Sequence, residues 1–351
     1  MTDLVLSGLY MEIVRAGDKR RIIKTMGLLD KMMFINGISN KCIQRFMFLC
    51  DRICRKRIDL LGLCILLFFS NNVFATEGIR GQAELNYGRY KNDNNEKDMY
   101  YGGGAVYYFQ PAQRTSGPWY EADYLERISS LGAVYWKYDI SNFSDFTGYD
   151  SYAYALGLHY AEKKQPIVVD VYYAHGKSDW YYVPSALNGK QEYDTYTVSL
   201  GFYVLKTAVL GMKLGKFDSS LDYEQRPTYS ANYDMYSVFG KWLYLLNDNK
   251  AINLKFDIQL NRGDSFYVEN DSSNVYQLEG DYYFTNKTSL GLNIMAATGD
   301  APSNEGNTYG INVRTFLTKS FSVDVTYLNF RAKNTEGVNN DGYSLNLSYW
   351  Y

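Results

Sequence analysis

The chain has 351 residues and a formal net charge of −2, from 36 Lys and Arg against 38 Asp and Glu. Hydrophobic residues make up 46% of the chain, and 36 residues are tyrosine. This balance excludes the strongly basic surface that nucleic-acid binding requires, so we expect no nucleic-acid partner.

The charge divides the chain into two regions. Residues 1–75 carry 12 Lys and Arg against 6 Asp and Glu, whereas residues 76–351 carry 24 against 32, so the net charge changes from +6 to −8. Within the first region, Arg52, Arg55, Lys56 and Arg57 precede the apolar residues 60–69, and small residues follow in the pattern that a signal peptidase accepts. We therefore expect a secretory signal peptide over residues 47–75, cleaved between Ala75 and Thr76.

Two alternatives for this region are disfavoured. A membrane-spanning helix needs roughly 20 residues, whereas ten apolar residues extend only about 15 Å. A lipoprotein signal would need a small residue directly before its cysteine, and Cys64 follows Leu63. Nothing in residues 1–46 indicates a folded domain, so we expect a non-structural extension or a miscalled start.

All four cysteines lie before the predicted cleavage point, at positions 42, 50, 54 and 64. The mature chain would then have no thiol. It could form no disulfide and no thiolate metal site.

Alternation of apolar and polar residues dominates the mature region and is clearest in residues 251–262. Apolar side chains occupy every second position there, whereas Asn, Lys, Asp and Gln occupy the positions between them. Such a pattern is typical of an amphipathic strand long enough to cross a membrane. The same pattern recurs in residues 79–87, 289–294, 311–318 and 321–327.

The strand pattern predicts an all-β protein: a closed antiparallel transmembrane β-barrel over residues 76–351, with about 16 strands and 14 as the other possibility, since both are even. The ambiguity concerns residues 118–140, which could form one long strand. At either count, water should occupy the interior. Short turns alternate with longer polar segments such as residues 177–191 and 217–230, as periplasmic turns alternate with outer loops.

Charged and amide side chains in the polar phase of these strands are the candidate pore-lining residues. Lys or Arg facing lipid near the bilayer midplane would cost roughly 2 to 4 kcal/mol, so these side chains should face water. Alternatively, some lie at the rim or pair with one another as cross-links. Both signs occur, so no strong ion selectivity is predicted, although the negative net charge slightly favours cations at the mouth. The candidates are Arg80, Glu84, Lys213, Lys255, Asp257, Gln259, Arg314 and Asp324.

No motif for chemistry is evident. The two histidines, His159 and His175, are followed by no serine at the spacing of an outer-membrane phospholipase, and Asp179 near His175 is the nearest approach to an omptin protease. No zinc motif and no phosphate-binding glycine loop occurs. We expect no enzyme activity, no catalytic residue, no metal and no cofactor.

The chain ends in an amphipathic strand over residues 341–351 that resembles the assembly signal of outer-membrane barrels. This strand should be recognised by the barrel-assembly machinery and close the barrel against the strand that begins near Ile79. Its apolar face consists of Tyr343, Leu345, Leu347, Tyr349 and Tyr351.

The mature region as a whole resembles the porin family of Gram-negative bacterial outer-membrane β-barrels. The internal residues that carry this resemblance are 107–111, 117–122 and 125–130. The resemblance implies an outer-membrane porin that lets small hydrophilic solutes and ions diffuse passively, with outer-membrane lipid around it and a possible homotrimer. The alternative is a non-conducting barrel with an adhesive or structural role, for which the tripeptide Arg262-Gly263-Asp264 is a weak indication.

Overall fold

The computed structural model describes residues 78–92, 97–114, 117–141, 146–182, 187–223, 228–247, 249–264, 271–299, 305–332 and 339–351. They form a closed barrel of 14 antiparallel strands, in which each strand pairs with its sequence neighbours and β1 pairs with β14. The predicted fold class is thus confirmed, at the smaller of the two strand counts. The predicted signal peptide, its cleavage site and the extension at residues 1–46 lie outside the described residues.

The strands connect in simple up-and-down order, so both ends of the barrel sheet lie at the end with the short turns. In outer-membrane barrels this is the periplasmic end. The strands are β1 (Ile79–Asn92), β2 (Lys97–Ala112), β3 (Ser130–Ser141), β4 (Phe146–Ala161), β5 (Ile167–Tyr182), β6 (Leu187–Leu205), β7 (Ala208–Tyr223), β8 (Tyr229–Asn247), β9 (Lys250–Asp264), β10 (Asp271–Tyr283), β11 (Thr288–Gly299), β12 (Gly306–Phe316), β13 (Phe321–Ala332) and β14 (Asn340–Trp350).

The connection between β2 and β3 differs from the single long strand over residues 118–140 that was one of the two alternatives. A 3-10 turn (Trp119–Glu121) leads into the short helix α1 (Ala122–Glu126), and β3 begins only at Ser130. Left-handed backbone at Gly117 (φ 74°) and Arg127 (φ 51°) reverses the chain on either side. The tyrosine-rich sequence therefore folds here as a compact helical turn rather than as barrel wall. No helix of the described residues is long and apolar enough to cross a membrane.

The outer surface of the barrel carries an apolar band bordered by aromatic rings. Phe256 and Ile258 on β9 are 36% and 43% exposed, whereas the intervening Asp257 side chain is only 14% exposed on the inner side. Tyrosines and tryptophans favour the interface between membrane and water. Exposed aromatic residues lie toward the outer end at Tyr87, Tyr101, Tyr152, Tyr236, Tyr276, Tyr309, Tyr327 and Tyr343, and toward the periplasmic end at Phe109, Phe202, Trp242, Tyr244, Phe284 and Tyr349.

The inner surface is divided between an apolar half and a polar half. On β3 to β8, Trp136, Tyr193, Phe217 and Met235 pack over small alanines of β4 and β5. Carboxylates, amides and cations occupy the inner face from Lys213 on β7 and Lys241 on β8 through β9 to β14 instead. Since β3 to β5 are apolar on both faces, their alternation is weak, which explains why residues 118–140 were ambiguous.

Several strands continue into segments that were expected to be outer loops. Strands β5 and β6 extend to Tyr182 and from Leu187, within the predicted loop at residues 177–191. Their outward side chains are polar there, as in the ion pair of Lys177 with Glu192 at 2.8 Å. A strand with polar residues on both faces shows no alternation of apolar and polar positions, so its sequence does not indicate a strand. Its hydrogen bonds to the neighbouring strands still form.

The closing strand β14 pairs with β1 as expected, with Tyr349 opposite Ala83 and Leu345 opposite Tyr87. The amides of Arg80 and Gly81 donate to the carbonyl of Tyr351 at 2.6 and 3.0 Å. The predicted assembly residues lie on the outward face. Trp350 points inward, is 6% exposed and donates to Ser322 Oγ at 3.0 Å.

Candidate functional site: the barrel lumen and its periplasmic plug

Residues 117–128, here called the plug, cross the periplasmic mouth of the barrel between β2 and β3. On one side the ring of Tyr120 lies 4.5 Å from that of Phe316 on β12. On another side the ring of Tyr124 lies 5.8 Å from that of Tyr203 on β6. Leu125 packs on the cluster formed by β8, β9 and β10. Contacts with strands around the barrel place the plug across the mouth rather than along one wall.

Polar contacts tie the plug to the periplasmic turns. The amide of Trp119 donates to the carbonyl of Asn286 in the β10–β11 turn at 2.8 Å. Arg127 Nη2 donates to the carbonyl of Lys206 in the β6–β7 turn at 3.3 Å. Glu126 pairs with Lys163 of the β4–β5 turn. These bonds are few compared with a strand ladder, so the plug is attached to the wall but is not part of it.

A buried carboxylate anchors the centre of the plug. Glu121 is 4% exposed and forms an ion pair with Lys241 of β8. It also accepts hydrogen bonds from Tyr283 at 2.9 Å and from Asn253 at 3.2 Å. A buried charge requires such a set of partners. We call Glu121, Lys241, Asn253 and Tyr283 the latch.

The latch keeps Glu121 ionised. Burial alone would raise its pKa, but the nearby ammonium groups of Lys241 and Lys255 and the hydrogen bonds from Lys241 and Tyr283 outweigh burial, so the pKa falls from 4.5 to about 2. A carboxyl group whose pKa is lower in the folded state stabilises that state above its unfolded pKa. This stabilisation is lost as the pH falls through the folded pKa.

We expect, as a consequence, that the latch does not respond to mild acid. The conductance of the protein relative to a Glu121→Gln variant should be the same at pH 7 and pH 6, since the carboxylate is charged at both values whether the plug is in place or released. Below about pH 4.5 the two proteins should converge, because the carboxylate of a released plug takes up a proton more readily than the carboxylate in the latch. Planar bilayer recordings between pH 7 and pH 3 measure this ratio. A ratio that stays constant down to pH 3 would show that the pKa of Glu121 is the same in both states, which contradicts the latch.

A cation in an aromatic environment holds the chain just before the plug. The guanidinium carbon of Arg114 lies 4.2 Å from the ring centre of Phe316 and 4.8 Å from that of Trp350. It also lies 5.1 Å from the ring centre of Trp119, and the guanidinium donates to the carbonyl of Lys319. Burial lowers the pKa of Arg114 to about 10. The group remains charged, so its attraction to the ring faces is maintained.

Five of the predicted lumen residues lie on the inner face and form ion pairs in the structure. Lys213 and Asp257 lie 2.6 Å apart. Arg314 and Asp324 also lie 2.6 Å apart. Lys255 pairs at 3.1 Å with Glu279, which the sequence did not single out. The alternative reading, in which the charges form cross-links, therefore describes these residues.

The remaining candidates occupy different positions. Gln259 donates to Asn261 at 2.8 Å on the same inner face. Glu84 is 5% exposed and accepts from Asn346 at 3.5 Å. Arg80 lies exposed at the start of β1, where the register with β2 shifts, apart from the ion pairs.

The two histidines lie on opposite faces of the wall. His159 points inward and shares a 2.6 Å contact with Asp170, which also accepts from Ser199 at 2.7 Å. His175 points outward and lies 3.0 Å from Asp194. Ser199 therefore bonds the carboxylate and not the imidazole, which differs from the arrangement of a nucleophile with its base. Among the described residues, no group of three or more His, Cys, Asp and Glu could hold a metal ion.

Sequence reasoning missed the latch. Lys241 occupies the inward phase of β8 with Ser237, so alternation could have identified it as a lumen residue. Glu121 lies outside any strand, and no periodicity distinguishes it from a surface carboxylate. Its partners come from β8, β9 and β10, which only the closed barrel brings to the plug.

Comparison with known proteins agrees with this architecture. Over 78% of the chain, the structure superimposes on the whole of the outer membrane protein Omp33 of Acinetobacter baumannii, with a TM-score of 0.51 and 16% identity. The toluene transporter TbuX of Ralstonia pickettii is matched over 78% of this chain and 90% of its own, with a TM-score of 0.47 and 8% identity. No curated protein sequence is significantly similar.

A family model covers the whole region that forms the barrel. The model is described as "Putative general bacterial porin" and matches residues 55–351. Together with the closed barrel, this match places the protein in the bacterial outer membrane. The chain belongs to this family of general bacterial porins.

Proposed function

We propose that the protein is a channel for the passive diffusion of small hydrophilic solutes and ions, and that the plug restricts its periplasmic exit. The observation that carries this proposal is the contrast between wall and plug. The wall is a continuous ladder of backbone hydrogen bonds, whereas the plug is held by side chains and a few single bonds. Release of the plug would therefore leave the barrel intact.

The polar half of the lumen supports a route for hydrophilic solutes. Ion pairs of β7 to β13 line the inner wall, and water can solvate them only if it enters the barrel. The latch lies beside this polar half, because Asn253 donates both to Glu121 and to Asp281 at 3.2 and 3.1 Å. Solutes that move along the charged part of the wall would therefore reach the plug at the latch.

Loosening of the plug is physically accessible. The plug contains only one five-residue helix, α1, which is too short to be stable without its tertiary contacts. Segments with few backbone bonds to the rest of a protein open locally at a small fraction of the global free energy of unfolding. We propose, further, that the signal peptide exports the chain and that the barrel-assembly machinery inserts it.

Single-channel recording tests the function directly. Residues 76–351, refolded and shown by heat-modifiable gel mobility to be a barrel, should produce discrete conductance steps of low open probability in a planar bilayer. Proteoliposomes should swell in an isotonic monosaccharide. If a folded barrel gives no steps, and folded plug variants give none either, the non-conducting alternative is correct.

A further inference from the structure

A cavity of about 120 Å³ lies in the lumen against the inner faces of β10 to β14 and the adjoining β1 and β2. One end is polar and is lined by Glu279, Asp281 and Arg314. The other end is apolar and includes Tyr90, Tyr100 and Phe330. Its size suits one small organic molecule, and its two ends differ in chemistry.

The polar end carries an excess of negative charge. Arg314 lies between two carboxylates, 2.6 Å from Asp324 and 3.9 Å from Asp281. Glu279 lies 3.1 Å from Lys255. The charged groups that line the cavity are thus two carboxylates, Glu279 and Asp281, and one cation, Arg314, while Asp324 and Lys255 pair with them from outside the lining. In the partly desolvated lumen, such an imbalance favours a further cation.

The cavity also contains hydrogen-bond acceptors that lack donors. The carbonyl oxygens of Asn293 and Asn312 are buried, and neither has a partner among the residues that the structure describes. Buried polar atoms are nearly always paired, because an unpaired one loses its hydrogen bonds to water without replacing them. A ligand that supplies N–H donors would satisfy both oxygens.

The apolar end presents aromatic rings. The rings of Tyr90 and Tyr100 stack with centres 5.6 Å apart and an interplanar angle of 21°. Gly342 and Gly88 lie beneath them, where a Cβ atom would collide with the rings. Leu328 and Met295 complete this end. The glycines allow the rings to lie flat against the wall and to present a surface for an apolar body.

We propose that this cavity binds small organic ammonium compounds, with the ammonium group at Glu279, Asp281, Asn293 and Asn312 and the apolar body against the tyrosine rings. This proposal deepens the proposed channel function and rests on it, since it names a solute class that the lumen would favour. The excess of acceptors over donors distinguishes an ammonium ion from a carboxylate. The aromatic end distinguishes it from a fully hydrated inorganic cation.

Equilibrium binding to the detergent-solubilised barrel tests the proposal without any need for conduction. Isothermal titration calorimetry with phenethylammonium should show saturable binding. The anion 3-phenylpropionate, which has a similar apolar body, should bind at least about tenfold more weakly, because its carboxylate is repelled by Glu279 and Asp281 and supplies no donor for the amide oxygens. The neutral 2-phenylethanol should bind with intermediate affinity.

A pair of substitutions on one strand provides the control. Asn312→Leu keeps the side-chain size but removes the inward acceptor, and should weaken phenethylammonium binding by about tenfold. Asn307→Leu makes the same change on the outward, exposed face of β12 and should leave binding unchanged. Glu279→Gln is the second inward variant, in case Asn312→Leu does not fold.

Three results would overturn the proposal: equal binding of the anion, tighter binding of a polyol such as glycerol, or unchanged ammonium binding in the folded inward variants. These results are independent of the channel test. If the barrel binds ammonium compounds but never conducts, the proposed channel function is wrong and the proposed binding site is supported. If the barrel conducts but does not bind ammonium compounds, only the proposed binding site is wrong.

Discussion

Glu121→Gln is expected to raise the open probability of the channel on the order of a hundredfold. The substitution removes the negative charge that compensates the ammonium group of Lys241 inside the barrel. Breaking a buried ion pair by removing one partner typically costs roughly 3 to 5 kcal/mol. That cost falls on the closed state alone, because Lys241 becomes solvated when the plug leaves the mouth. Single-channel recording of wild type and variant measures the change.

A second substitution separates electrostatics from a general loss of packing. In Glu121→Gln combined with Lys241→Met, the latch itself no longer contains a charge, and the glutamine oxygen can still accept from Tyr283 and Asn253. Replacing a buried ion pair by uncharged groups of similar volume is often neutral for stability. The double variant should therefore return toward the wild-type open probability.

The contrary results are distinct. If the single variant conducts as the wild type does, the latch does not hold the plug closed. If the double variant conducts as strongly as the single one, the hydrogen-bond geometry rather than the charge is responsible. Glu192→Gln, which removes a carboxylate from the outward face of β6, should change nothing at the mouth.

Phe256→Arg is expected to prevent folding into the bilayer, whereas Asp257→Asn should permit it. The two positions are neighbours on β9, but Phe256 faces lipid with 36% of its surface exposed and Asp257 faces the lumen. An arginine on the lipid face near the midplane costs roughly 2 to 4 kcal/mol. The folded fraction, read from the heat-dependent shift in gel mobility, measures the difference.

The inward variant should instead change ion preference. Asparagine at position 257 keeps an oxygen that can accept from Ser237, but it leaves Lys213, 2.6 Å from the native carboxylate, without its counter-charge. The expected loss of stability is about 1 kcal/mol, because the pair borders a water-filled lumen. Reversal potentials in a salt gradient should shift toward anions. Equal loss of folding in both variants would mean that the assignment of inner and outer faces is wrong.

The internal segment that carries the family resemblance overlaps residues 118–140, for which one long strand is one of the two alternatives that the sequence leaves open. In the structure most of this segment is the plug. Its aromatic residues are typical of strands as well as of a packed turn such as the plug. Strand propensity reflects packing against neighbouring side chains rather than an intrinsic preference of the backbone. The neighbours here are the inner walls of the barrel.

The sequence by itself determined the membrane-spanning β-barrel, since alternation with period two on β9, β12, β13 and β14 requires lipid on one face and water on the other. It also determined which face of those strands is polar. The tertiary structure alone decided the number of strands, the apolar half of the lumen and the plug. These depend on contacts between residues far apart in the chain, such as Glu121 with Lys241 and Tyr283. A local sequence pattern indicates which face of a strand contacts water. Which side chains and segments fill the interior depends on how the strands close into a barrel.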